Sequence, residues 1–159
     1  MATKVIVNIP GEEAYDVRIG TGVLDALGAR MRGVPSLEQA ERVLVVTDEN
    51  VAPLYRDRAR ESLAAAGFRV PDIVVPAGED TKSVEVAGEI WEAMAHLSLG
   101  RDCAVVALGG GVVGDLAGFA ASTYMRGVTL VQVPTTLLSM VDSSVGGKTG
   151  VNLTAGKNL

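Results

Sequence analysis

Asp102-Cys103-Ala104-Val105-Val106-Ala107-Leu108-Gly109-Gly110-Gly111-Val112-Val113-Gly114-Asp115 is the stretch that decides how this chain folds. Its first half is an apolar run of the kind found in strands buried on both faces of a parallel sheet. The glycines then allow a tight turn, and a helix is expected over Val112–Tyr124. Gly109-x-Gly111-x-x-Gly114 therefore fits a dinucleotide fingerprint in its proper setting, after a strand and at the opening of a helix. Backbone amides at such a helix end favour a pyrophosphate, by about 0.3–1 kcal/mol at an exposed site. Two features depart from the usual layout. The turn follows a late strand, and no acid lies about twenty residues further on to hold a ribose. Asp48, within Thr47-Asp48-Glu49-Asn50, has two readings, as that ribose partner or simply as a helix cap.

Working outward, strands and helices alternate. Lys4–Ile9 and Tyr15–Ile19 read as a hairpin about the turn Pro10-Gly11-Glu12-Glu13. Helical spacing follows over Val23–Met31, a buried strand over Arg42–Thr47, and an amphipathic helix over Val51–Ala66 capped by Gly67. A strand over Val70–Val75 ends at Pro76-Ala77-Gly78, and Ser83 is a good N-cap for the helix carrying Ile90, Trp91 and Met94. Val128–Val133 is one more strand, and Thr135–Val141 reads as helical. The fold expected is α/β and Rossmann-like, a mostly parallel sheet flanked by helices with an N-terminal β-hairpin. Ligands should bind beyond the carboxyl ends of the strands.

Composition narrows the function classes. The chain has 159 residues, enough for one well-cored domain. Its net charge of −5 argues against nucleic acid as a partner. That charge is uneven. From Arg126 onward three cations (Arg126, Lys148, Lys157) face Asp142 alone, so this end is net +2 and the first 125 residues carry −7. A local basic end suits a small anionic ligand better than a polymer. Of the few lysines, Lys82, Lys148 and Lys157 lie in glycine-containing loops, whereas arginine is used elsewhere. With no apolar leader and no membrane-spanning run, the chain reads as cytoplasmic and without a membrane partner. Cys103 reads as a buried thiol. His96 is the only histidine, which leaves a metal site without ligands in this chain.

Further motifs sit where ligands are expected. Pro76-Ala77-Gly78-Glu79-x-x-Lys82 follows a strand, and reads either as a ligand loop or as a turn with a surface ion pair. Gly146-Gly147-Lys148-Thr149 imitates the end of a P-loop, but Asp142 stands where that motif needs its first glycine. A kinase or ATPase is therefore disfavoured. Lys148 and its neighbouring amides can still hold a phosphate or carboxylate.

Together Pro76–Lys82, Gly109–Asp115, Tyr124-Met125-Arg126-Gly127, Pro134–Leu138, Val141–Asn152 and Gly156-Lys157-Asn158 resemble the 3-dehydroquinate synthase family, within the sugar-phosphate cyclases. The resemblance spans the whole chain but only the family's N-terminal NAD-binding domain. A helical C-terminal domain, with a Glu and two His for zinc or cobalt, is expected beyond Leu159. The resemblance implies NAD contacts from Asp48 and Asn50 at the adenosine, beside Ala77, Gly78, Glu79 and Lys82. It places Gly110, Gly111, Val112, Val113, Gly114 and Asp115 at the pyrophosphate, with Thr135, Thr136, Lys148 and Lys157 also on the cofactor. Asp142, Lys148 and Asn158 would meet the substrate and, with Lys157, serve catalysis. Arg126 would enter a neighbouring subunit's site to hold the substrate phosphate, which implies a homodimer. Thr81 stands where the family often has an aromatic residue.

The reaction implied converts 3-deoxy-D-arabino-heptulosonate 7-phosphate, a phosphorylated sugar acid, into 3-dehydroquinate and phosphate in the shikimate pathway. NAD is reduced only transiently, and a divalent metal assists. The chain alone is expected to be inactive. Competing readings are another sugar-phosphate cyclase, or the NAD domain of a polyol dehydrogenase, which would release NADH.

Overall fold

The computed structural model describes residues 2–11 and 14–158; Glu12 and Glu13 of the expected turn lie outside them. Strands β1 (Thr3–Val7) and β2 (Tyr15–Ile19) pair antiparallel with Val5 opposite Val17, giving the expected hairpin. The main sheet holds β3 (Val43–Asp48), β4 (Asp72–Val75), β5 (Ala104–Gly109) and β6 (Thr129–Pro134), in the order β4-β3-β5-β6. Every pairing in it is parallel. Helices α1 (Leu27–Arg32), α2 (Asp57–Ala65), α3 (Val84–His96) and α4 (Gly111–Thr123) complete the α/β, Rossmann-like architecture.

Side chains alternate across a strand, so β3 and β5 feed two cores at once. Leu44, Val46, Val105 and Ala107 pack with Ile90, Met94, Leu116 and Ala120 of α3 and α4. Val43, Val45, Ala104, Val106 and Leu108 pack on the other face with Leu27 and Met31 of α1 and Leu63 of α2. That double burial is why both strands read as unbroken apolar runs. Fully burying such a side chain stabilises by about 1.5–3 kcal/mol. Gly28 brings α1 against α2: a Cβ there would lie 2.2 Å from the Ser62 carbonyl oxygen. Among the described residues no helix is long and apolar enough to cross a membrane.

Four segments differ from expectation. Residues 21–26 form turns around Gly22 in the left-handed region, so the first helix begins only at Leu27. The amphipathic Val51–Ala66 segment opens with a π-helical turn over Ala52–Arg56 before α2. Pro53 near its start lacks an amide to donate. The expected cap holds, with Gly67 at φ +83° just past the end of α2. The strand expected over Val70–Val75 is continuous only over Asp72–Val75, although the Arg69 and Pro71 carbonyls already accept from the Val43 and Val45 amides. Finally, helical backbone after β6 runs over 137–143 rather than Thr135–Val141, with a π-helical turn over Ser139–Ser143.

The chain passes from β3 outward to β4, then crosses back through α3 to β5 on the other side of β3. Loops leaving β3 and β5 thus diverge, which opens a crevice at the carboxyl edge of the sheet.

Candidate functional site

The loops after β4, β5 and β6 meet at that carboxyl edge, joined there by the segment from Gly146 to Asn158. Gly110 caps α4 with extended backbone, and among the described residues no side chain closes the first turn. The glycines of the fingerprint divide into two jobs. A Cβ on Gly109 would lie 2.6 Å from Val113, and one on Gly114 would lie 2.9 Å from Gln132 Oε1, so these two serve close packing. Gln132 Nε2 also donates to the Gly114 carbonyl at 3.2 Å, seating α4 on β6. Gly110 and Gly111 are less crowded and line a partly exposed cradle. A Cβ on Gly110 would lie 3.3 Å from the Thr136 methyl, and one on Gly111 would lie 3.4 Å from Ser143 Oγ.

The Thr135–Thr136 pair also divides. The Thr136 hydroxyl accepts from the Ser139 amide at 3.2 Å and so caps the next turn. Thr135 Oγ1 is buried with no hydrogen-bond partner among the described residues. Such an orphaned hydroxyl beside a glycine cradle suits a polar ligand. Asp48 Oδ1 accepts from the Asn50 and Val51 amides at 2.8 and 2.9 Å. It therefore caps the turn after β3, and its other oxygen has no partner among the described residues.

The Pro76–Lys82 loop is not a surface ion pair. Gly78 turns at φ +115°, and the Thr81 hydroxyl donates to the Pro76 carbonyl at 2.8 Å, closing the loop without an aromatic residue. Lys82 is only 4% exposed, and its ammonium donates to Asp115 Oδ2 at 2.5 Å and to Asn158 Oδ1. Asn152 Nδ2 donates to Glu79 Oε1 at 2.8 Å, and Asn152 Oδ1 accepts from the Asn158 amide at 3.0 Å. These bonds tie the segment after Gly150 to the starts of α3 and α4.

Beside this network lies a cleft of about 440 Å³ lined by Asp115, Asp142, Ser143, Lys148, Thr149 and Asn158. Lys148 Nζ donates to Asp142 Oδ1 at 2.6 Å with both side chains well exposed. That hydrogen bond, the charge of Asp142 and the more distant Asp115 raise the Lys148 pKa, so its ammonium is secure at neutral pH. Gly146 and Gly147 both adopt positive φ, and the Gly146 amide donates to the Tyr15 hydroxyl at 2.9 Å. The N-terminal hairpin thereby touches the lysine loop.

A family model described as 3-dehydroquinate synthase N-terminal matches residues 72–159, more than half of the chain. The chain belongs to that family. A 3-dehydroquinate synthase from Symbiobacterium thermophilum is 55% identical over 94% of this chain, which spans 41% of that relative's length. Among solved structures, 2-deoxy-scyllo-inosose synthase complexed with carbaglucose-6-phosphate, NAD+ and Co2+ superposes over the whole chain and 41% of its own. It has a TM-score of 0.86 at 29% identity. ValA, a 2-epi-5-epi-valiolone synthase from Streptomyces hygroscopicus with NAD+ and Zn2+ bound, is 33% identical with a TM-score of 0.75. It covers 96% of this chain and 41% of its own.

Against the 3-dehydroquinate synthase family's expected site, the structure brings together Glu79, Lys82, Gly110, Gly111, Asp115, Thr135, Thr136, Asp142, Lys148 and Asn158 on one edge. Arg126 is not among them. It lies exposed before β6, at the opposite edge of the sheet, on a loop where Met125 and Arg126 both have positive φ. Lys157 is exposed and makes no hydrogen bond or ion pair among the described residues. His96 is likewise exposed, and the described residues contain no group of three or more His, Cys, Asp or Glu able to hold a metal ion. Cys103 is buried, and desolvation aided by Asp102 pushes its thiol up to about 11, which leaves it unreactive.

Three contributors escape the sequence reading. Ser143 and Asn152 stand within motifs that the sequence already marks, so their neighbours were the signal. Tyr15 has none, because its contact with Gly146 spans 131 positions.

Proposed function

We propose that this chain is the NAD-binding domain of a 3-dehydroquinate synthase. The whole enzyme would turn 3-deoxy-D-arabino-heptulosonate 7-phosphate into 3-dehydroquinate and phosphate. The observation that carries the reading is one shared edge. The Gly110–Gly111 cradle, the unpartnered Thr135 hydroxyl and the cleft holding Lys148 and Asn158 lie side by side at the open end of the sheet. A dinucleotide and an anionic substrate need that adjacency, because bound neighbours react far faster than free molecules.

The cradle fits NAD. Amides of Gly111, Val112 and Val113 at the start of α4 would face the pyrophosphate, with Gly110 giving close backbone approach. Asp48 would use its uncommitted oxygen on a ribose, with Asn50 nearby, and the loop from Ala77 through Gly78 to Lys82 would flank the adenosine. The Thr135 hydroxyl would gain a partner, and Lys157 would lie toward the nicotinamide. When bound, the nicotinamide supplies reversible oxidation of a carbinol carbon. Lys148 and Asn158 would hold substrate oxygens, with Asp142 keeping the Lys148 ammonium poised. Arg126, exposed at the opposite edge of the sheet, would serve a partner subunit in a homodimer. The divalent metal finds no donor set among the described residues, and its ligands would lie on a further domain. The acidic net charge makes nucleic acid a poor partner, and the proposed compartment is cytoplasmic.

Calorimetry on the purified chain tests the reading. NAD should bind with an affinity that Gly110→Val lowers more than about tenfold, and no phosphate should leave the heptulosonate substrate. Silence at millimolar NAD, or phosphate release by the chain alone, would overturn it. The likeness to inosose and valiolone synthases favours another cyclase as the second reading. Turnover by the whole enzyme separates them by substrate, and net NADH would point instead to a dehydrogenase.

A further inference from the structure

Lys82, almost fully buried, touches two groups, the Asp115 carboxylate and the side-chain oxygen of Asn158. An ammonium only donates hydrogen bonds, so the amide of Asn158 must present its oxygen to Lys82. The opposite rotamer would set an NH2 against an ammonium. Asn158 is held further by its own amide, which donates to Asn152 Oδ1, and by Asn152 in turn through Glu79. It adopts φ +57°, a left-handed conformation that Asn tolerates better than most residues. Asn158 Nδ2 has no partner among the described residues, and Asn158 lines the cleft beside Lys148.

We propose that Lys82 is a positioning residue. By capturing the Asn158 oxygen, it leaves the Asn158 NH2 as a fixed donor to a substrate oxyanion in the cleft. Through the same ammonium it joins the cofactor-facing loop after β4 to the substrate side. Asp115 keeps that ammonium in place and offsets its burial. The role rests on the proposed reading that the cleft receives an anionic substrate. It assigns a residue of the nucleotide loop to substrate recognition.

NMR of the isotope-labelled chain, titrated with inorganic phosphate, tests it. The Asn158 NH2 signal, identified by its loss in Asn158→Asp, should move saturably with phosphate. In Lys82→Met that signal should already be displaced before phosphate is added, and phosphate affinity should fall about tenfold, the loss of one charge-assisted hydrogen bond. Lys82→Arg should restore much of both. Where Lys82→Met fails to fold because Asp115 is stranded, the double variant Lys82→Met/Asp115→Asn carries the same readouts. The inference is overturned by an Asn158 NH2 signal indifferent to Lys82. It is also overturned if that signal stays still while phosphate shifts the amides around Lys148. A cleft in which no amide responds to phosphate would instead remove the anionic-substrate reading, and this role with it.

Discussion

The two edges of the one parallel sheet treat hydrogen-bonding groups in opposite ways. At the amino edge, carbonyls at helix ends are closed by long side chains. Arg32 donates to Ala66, Leu37, Glu38 and Ala40 carbonyls and stacks 3.6 Å over Phe68. Arg42 donates to the Leu97 and Ser98 carbonyls, and the Tyr124 hydroxyl to Leu99. At the carboxyl edge, α4 starts without a side-chain cap and Thr135 Oγ1 is left unsatisfied. The carboxyl edge also closes bonds among its own side chains, through Lys82, Asn152 and Asn158, yet it leaves the start of α4 open to a ligand. The split also accounts for cation usage. Arginine's rigid fork suits several carbonyls at once, and lysine's single ammonium suits a site whose partner can be exchanged.

The comparison breaks most visibly under Arg32→Ala. Loss of those carbonyl bonds and the stacked ring should lower stability by about 3 kcal/mol in urea unfolding while NAD affinity stays unchanged. Gly110→Val should do the reverse. Branched carbons in the cradle should weaken NAD more than about tenfold by calorimetry, while crowding of the Thr136 methyl costs about 1–2 kcal/mol, less than the loss at Arg32. Equal effects of the two variants on both measurements would erase the distinction between the edges.

Thr135→Val is a subtler probe. Replacing a buried unpartnered hydroxyl should leave the unfolding midpoint unchanged or slightly raised, with NAD weakened about threefold. A large loss of stability would mean that the hydroxyl is satisfied within the fold.

The smallest effect concerns Lys148. Its pKa in the folded chain is raised above the ordinary 10.5, chiefly by the hydrogen bond from its ammonium to Asp142. The pair's stabilising effect is therefore complete below pH 10.5 and is lost as pH climbs through the raised value. Because both side chains are exposed, solvent screens the pair and the effect is slight. The difference in unfolding midpoint between the native chain and Lys148→Met should be flat from pH 7 to pH 10 and narrow above that.

Much of the site was legible because its residues come in short motifs at strand ends. Gly109–Asp115 announces itself as strand, turn and helix, and the parallel topology then carries the loop leaving each strand to one edge. The roles within a motif were less legible. Nothing in the spacing separates Gly114, packed on Gln132, from Gly111 in the cradle, or Thr136 the cap from Thr135 the orphan. Lys82 reads either as a ligand-loop lysine or as half of a surface ion pair until the fold buries it beside Asp115. Arg126, expected to serve a neighbouring subunit's site, stands at the far edge from this chain's own cleft.

By itself the sequence determined the alternation of strands and helices, the buried character of β3 and β5, and which loops hold glycine, lysine and hydroxyl groups. These follow from local periodicity and backbone freedom, which act over a few residues. Only tertiary structure decided which of those groups share a cleft, which are spent on one another, and that Tyr15 reaches Gly146. Such contacts join residues far apart in the chain. They form only once two cores have fixed α4 against β6 and brought the segment after Gly146 back over the sheet's open edge.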